Sequence, residues 1–185
     1  MRNVLIGIAV VVLIGAIGFV SIYNGIVSKH ETITAKWAQV DNQLQRRNDL
    51  IPNLVNTVKG YASHEKTLFE NVTNARSQWG KAGTIDDKVK AASTMDAAIS
   101  RLLLVVENYP DLKANQTFLS LMDELSGTEN RIAVERMRYN EAVQDYNITV
   151  RSFPGNVVAG MFGYRPATAY FKAEEKAKNV PEVKF

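Results

Sequence analysis

The sequence predicts an all-α membrane protein, with an N-terminal transmembrane helix followed by an antiparallel bundle of three to four long helices. Three observations predict it. An uncharged apolar run stands near the amino end, and apolar residues then recur at alternating three- and four-residue steps over most of the chain. No Val/Thr/Ile-rich alternating run is bounded by hairpin dipeptides, and glycine and proline are sparse through the middle. What remains of 185 residues after a membrane segment is about one ordinary domain.

Residues 1–3 form a short flank. From Val4 to Tyr23 there is no charge, and only Ser21 and the Tyr23 hydroxyl are polar. At 1.5 Å per residue this run makes about 30 Å of helix, the thickness of the hydrocarbon core. A cleaved secretory signal would be apolar over only about 7–15 residues and would end at an A-x-A-like site. Ala16-Ile17-Gly18 is a poor version of such a site, and the run continues through Phe19, Val20 and Ile22, so it is expected to stay as a span. Orientation remains open. The basic residues Lys29, Lys36, Arg46 and Arg47 after the span lean towards a cytoplasmic bundle, whereas an uncleaved anchor with Arg2 inside places the bundle outside.

Residues 24–153 are read as the bundle. Ile26, Ile33 and Val40 fall seven apart, with His30, Trp37, Leu44 and Ile51 on the neighbouring row, so the first stripe is continuous with the membrane helix. Pro52 predicts a break or kink, with Asp49 capping the resumed helix. A second run carries Leu54, Val58, Tyr61, Glu65, Leu68, Val72, Ala75 and Trp79, and stops at residues 80–83. Thr84-x-x-Asp87 is a capping-box-like start for a third run through Val89, Ala92, Met95 or Asp96, Ile99 and Val106, ending at Tyr109-Pro110. The fourth begins near Asn115, repeats Phe118, Leu125, Ile132, Tyr139 and Tyr146 every seven residues, and ends at Phe153-Pro154-Gly155. Residues 154–171 make an apolar segment too brief to span a membrane. Val157, Val158, Met161, Phe162 and Tyr164 are expected there as an association surface for the bundle, the bilayer or a neighbouring subunit. Residues 172–185 are charged, mixed in sign and expected to fray.

Charges inside the apolar stripes are the candidate functional residues: Arg47 in the first soluble stretch, Glu65 in the second run, Glu129 and Arg136 in the fourth. An unpaired buried charge costs several kcal/mol, so inward-facing charges are expected to pair across helices. The expected arrangement is a polar layer joining Arg47 or Arg46 with Glu65 or Glu129, which fixes helix register. The alternative rotates the stripes and leaves these groups solvated. Asn53 and Asn115, near expected breaks, suit capping or turn roles, while Asn130, Asn140 and Asn147 suit backbone or cross-helix groups or a contact surface.

Composition excludes several classes. The net charge of +3 comes from scattered residues and leaves no basic stripe for nucleic acid. Absence of cysteine removes disulfides, thiol nucleophiles and thiolate metal sites. His30 and His64 are the only histidines, so neither a zinc-protease motif nor paired Glu-x-x-His ligands occur. Hydrolase elbows, phosphate loops and dinucleotide fingerprints are also lacking. No catalytic residue, cofactor or metal is assigned.

Trp37-Ala38-x-Val40-Asp41-x-x-Leu44-x-Arg46-Arg47-x-Asp49-Leu50-Ile51-Pro52-Asn53-Leu54-Val55, followed by Val58-Lys59-Gly60-Tyr61-x-x-His64-Glu65, resembles the LemA family of bacterial membrane proteins. The resemblance continues through Glu107-x-Tyr109-Pro110-Asp111-Leu112-Lys113-Ala114-Asn115, Phe118-x-x-Leu121-x-x-Glu124-Leu125-x-x-Thr128-Glu129-Asn130-Arg131-Ile132-Ala133, Tyr139-Asn140, Tyr146-Asn147 and Phe153-Pro154-x-Asn156. It implies a membrane anchor and a bundle of long antiparallel helices, and points towards membrane organisation or quality control without assigning a reaction. The expected function is a non-enzymatic scaffold in a bacterial inner or cytoplasmic membrane, crossing it once, forming homo-oligomers or docking a membrane protein such as a protease or sensor. A regulatory adaptor is the second reading. An enzyme acting through Arg46, Arg47, Glu65 and Glu129 is the third, and requires those charges to line a concave pocket.

Overall fold

Apolar run and first amphipathic stripe form one uninterrupted helix, α1 (Arg2–Lys59), in the computed structural model, which describes residues 1–171. The expected frayed tail at 172–185 lies outside the described residues. The N-terminal stretch of α1 is long and apolar enough to cross a membrane, and none of it is buried against the rest of the protein. Further along, Ile26, Ile33, Trp37, Val40, Leu44 and Ile51 are buried, so the three-four stripe faces inward as its spacing requires.

Of the break or kink expected at Pro52, the break does not occur. Helix α1 runs through the proline to Lys59, and Asp49 caps nothing, lying mid-helix where it accepts a hydrogen bond from Gln45 Nε2 at 2.8 Å. A mid-helix proline costs about 3 kcal/mol. Burial of Ile51, Leu54, Val55 and Val58 around it holds the helix on course, since each fully buried aliphatic side chain contributes about 1.5–3 kcal/mol. The chain instead turns over residues 60–65, and α2 (Lys66–Lys81) begins there. Glu65, expected on an apolar stripe, therefore sits at the start of α2, and Tyr61 is exposed in the turn.

Helix α3 (Ile85–Val106) starts as its capping pattern requires, with the Asp87 N–H donating to Thr84 Oγ1 at 3.1 Å. A single turn, α4 (Pro110–Lys113), has proline in its first turn, where the missing N–H is harmless. Asn115 then caps α5 (Gln116–Arg151), accepting from the Phe118 N–H at 3.0 Å, and its amide donates to the Tyr61 hydroxyl at 2.9 Å. After α5 comes α6 (Gly155–Met161). A Cβ at Gly155 would stand 2.2 Å from the Thr149 carbonyl oxygen, so the turn from α5 into α6 admits only glycine.

Helix α5 runs antiparallel to α1 in a register set by its seven-residue repeat. Trp37 meets Tyr139 at 5.6 Å between ring centroids, and seven residues nearer the membrane stretch His30 meets Tyr146 at 5.7 Å. All five repeat positions, Phe118, Leu125, Ile132, Tyr139 and Tyr146, are buried. The α2–α3 hairpin covers the distal half of this pair. Two apolar clusters result: a distal one including Ile51, Leu54, Val72, Leu102 and Phe118, and a membrane-proximal one including Ile26, Val40, Leu44, Ile132 and Tyr146.

Candidate functional site

A charged layer lies where the two apolar clusters meet. On α1 it falls between Leu44 and Ile51, on α3 it is Asp96 beside Met95, and on α5 it is Glu129 and Arg136 on either side of Ile132. Arg47 is 2% exposed at its centre. Its Nη1 donates to Asp96 Oδ1 in a close contact and to Glu129 Oε2 at 2.8 Å, while Arg136 Nη2 donates to Asp96 Oδ2 at 3.2 Å. Two guanidinium groups thus face two carboxylates, and three helices are tied at one level. Pairing is obligatory for a guanidinium this deep, because desolvating it alone costs several kcal/mol.

The layer differs in membership from the expected one. Arg47, Glu129 and Arg136 come together, whereas Arg46 points outward one residue round the helix and Glu65 is carried to the distal turn by the end of α1. Asp96 takes the place assigned to Glu65. Met95 fills the α3 core stripe and Asp96 stands at its edge, turned towards α1 and α5. The signal was an acidic residue beside a core methionine on the third run. A second cross-helix pair also went unread: Lys88 Nζ meets both carboxylate oxygens of Asp41 at 2.7 Å, joining α3 to α1.

A cleft of about 410 Å³ opens at the layer, lined by Arg47, Asp96, Glu129 and Arg136 together with Ile99, Leu103, Met122 and Leu125. The charges at its end neutralise one another, an arrangement suited to fixing register. Of the four charges named for the enzymatic reading, Arg47 and Glu129 line this cleft, while Arg46 and Glu65 lie apart from it. Glu107 pairs with Lys113 Nζ at 2.6 Å, and among the described residues no group of three or more His, Asp or Glu converges as a metal site.

The same faces of α1 and α5 hold a strap. Beyond α6, Gly163 takes a left-handed conformation (φ +75°), and residues 164–171 return along the bundle without helix. Asn147 and Asn140 grip its backbone with both ends of each amide. Asn147 donates to the Ala167 carbonyl at 2.9 Å and accepts from its N–H at 2.8 Å, and Asn140 does the same to Phe171 at 2.9 and 3.1 Å. Seven helical residues rise about 10 Å, a length that four residues of loosely extended chain can cover. The Tyr146 hydroxyl donates to the Arg165 carbonyl at 3.0 Å. Phe171 stacks on Trp37 at 6.0 Å, and Arg136 lies over its ring at 4.9 Å, so one arginine touches both the strap and the charged layer. Burial, then the charge of Asp86, then Tyr170 push the Tyr139 hydroxyl up to about 12. The repeated Tyr-Asn pair at 139–140 and 146–147 is the sequence trace of this clamp.

The expected association surface divides. Val157, Met161 and Phe162 are exposed, but Val158, on the inner face of α6, is buried. Tyr164 is half-buried and packs edge-on against Tyr23 and His30 at 6.4 and 5.7 Å. These two face inward because α6 lies on α1 and α5.

Residues 36–185 match the model of the LemA family, a span containing the charged layer, both asparagine clamps and α6. The chain belongs to the LemA family. Among its relatives, Magnetosome protein MamQ 2 of Paramagnetospirillum magneticum is 30% identical over 86% of this chain and 67% of the relative's length. MamQ of Magnetospirillum gryphiswaldense is 27% identical over the same shares. Protein LemA of Metamycoplasma hominis is 30% identical over 62% of this chain and 53% of its own length. The LemA match begins beyond the apolar stretch of α1, so the family is assigned on the bundle alone.

Proposed function

We propose that this LemA-family chain is a non-enzymatic, membrane-anchored helical scaffold of a bacterial membrane, which crosses the bilayer once through α1 and associates with further copies of itself or with partner proteins. The observation that carries this reading is the continuity of α1: one helix holds both the apolar stretch and the inner stripe of the bundle, so force or position at one is transmitted to the other. Paired charges and an interior organised for register favour a structural role over a chemical one. The magnetosome relatives, proteins of a bacterial membrane compartment by name, support membrane organisation as the setting.

The surface for association is the outer side of α5, where Met137 and Ile148 are exposed on the face opposite Ile132, Tyr139 and Tyr146. Because the chain has no cysteine, M137C and I148C supply clean attachment points. Cross-linking with mass spectrometry in native membranes is expected to give α5-to-α5 links between copies. A chain that stays monomeric in both detergent and lipid, with no such links, removes self-association. The adaptor reading, for a membrane protease or sensor, draws on the cleft at the charged layer, lined in part by Leu103 and Met122. It is distinguished by links from that cleft to one stoichiometric partner.

A further inference from the structure

The register of α5 against α1 fixes where α6 sits. Tyr139 lies opposite Trp37 and Tyr146 opposite His30, so continuing the same antiparallel count brings Phe153 opposite Tyr23, the last residue of the apolar run. The chain does not leave the surface there. Helix α6 lies against α1, and Phe162 contacts Tyr23 at 4.5 Å and Phe19 at 6.1 Å between ring centroids. Phe19 is a full turn inside the run. Phe162 therefore reaches the depth of the last turn of the span.

The inner face of α6 is filled by Val158 and Ala159, both buried. Its outer face is mostly apolar, with Asn156 its one exposed polar side chain: Val157 and Met161, four residues apart, are 53% and 68% exposed, and Phe153 and Phe162, which flank the helix, are 83% and 50% exposed. Scattered exposed apolar residues need no explanation, but a contiguous stripe does. No charged residue occurs from 152 to 164, and the stretch is bracketed by Arg151 and Arg165, both exposed. Apolar side chains between arginines suit the headgroup–acyl boundary, where arginine stems lie along the acyl region and guanidinium groups meet lipid phosphates.

We infer that α6 with its flanks is a second membrane contact, dipped into the leaflet from which α1 emerges; this rests on the reading of α1 as a membrane span. The occupant of the outer face is lipid rather than another protein, because the face is continuous with the lipid-facing surface of α1 at Phe19. Two contacts on one leaflet, a span and an interfacial helix, restrict how far the bundle can tilt or spin about α1.

The test uses the full-length chain reconstituted in vesicles of phosphatidylcholine with phosphatidylglycerol. Single-cysteine variants V157C and M161C on α6, V12C within the span and L104C on the exposed side of α3 carry an environment-sensitive fluorophore, and some lipids carry a nitroxide at a shallow or a deep acyl position. Labels at 157 and 161 are expected to shift to the blue and to lose emission to the shallow nitroxide, the label at 12 to the deep one, and the label at 104 to neither. Quenching at 12 without quenching at 157 and 161 overturns the inference and leaves the span intact. No quenching at 12 removes the span and the inference together. A blue shift at 157 and 161 without lipid quenching overturns it in favour of a protein partner on that face.

Discussion

Arg47 is the buried charge through which α1 pairs with both α3 and α5. It has two acidic partners of unequal worth, since the Asp96 side chain is 21% exposed and that of Glu129 is 50% exposed. Water screens the more exposed pair, so its coupling is expected at the surface value of about 1 kcal/mol or less. Removing Arg47 altogether leaves Asp96, part-buried, with Arg136 as its remaining partner, so the cost is expected to fall below the about 3–5 kcal/mol of stranding a fully buried charge. R47M, which also fills the volume, is expected to lose less than R47A. Double-mutant cycles by chemical denaturation check both statements, and the Arg47/Asp96 coupling is expected to exceed that of Arg47/Glu129. Negligible coupling in both cycles would mean that the layer does not hold the helices in register, and equal couplings would overturn the expected ranking of the two pairs.

At the scale of elements, the strap of residues 164–171 depends on two side-chain amides. Each asparagine satisfies a backbone N–H and a carbonyl at once, so replacing one by alanine removes both bonds in a part-buried setting that water can reach, at about 0.5–1.5 kcal/mol per bond. N147A is expected to raise amide exchange at Ala167 first and along the rest of the strap after it, while exchange in the α2–α3 hairpin stays unchanged. Protection of the strap that survives N147A would assign its position to Phe171 on Trp37 instead.

Elements were legible in the sequence wherever their signal was local or periodic. The seven-residue repeat of α5 named its buried face correctly, and Thr84 and Asn115 marked helix starts because capping is a short-range hydrogen bond. Pro52 was misread because the effect of proline is local, while the burial that overrides it comes from other helices. Glu65 followed it, since a helix expected to resume after Asp49 carries its stripe through a stretch that is in fact a turn. The strap left no trace of its own. Asn140 and Asn147 read its backbone, which every residue shares, so only their seven-residue spacing beside two tyrosines hinted at a partner.

For the whole molecule, the claim on which the rest depends is that the membrane stretch and the bundle are one rigid rod. Nothing in the bundle grips the first turns of α1, so rigidity across the boundary rests on unbroken backbone hydrogen bonding and on α6 bracing α1 near Tyr23. A loosely tethered bundle would sample many orientations and could not set a fixed spacing for partners. Val12 and Asn42 are exposed positions on α1 on either side of the boundary. At 1.5 Å per residue they stand about 45 Å apart along a continuous helix. Pulsed electron spin resonance on the doubly labelled V12C/N42C chain in lipid is therefore expected to give a single narrow distance distribution centred near that value. A broad or markedly shorter distribution would contradict the account, because it would place a hinge where the rod is required.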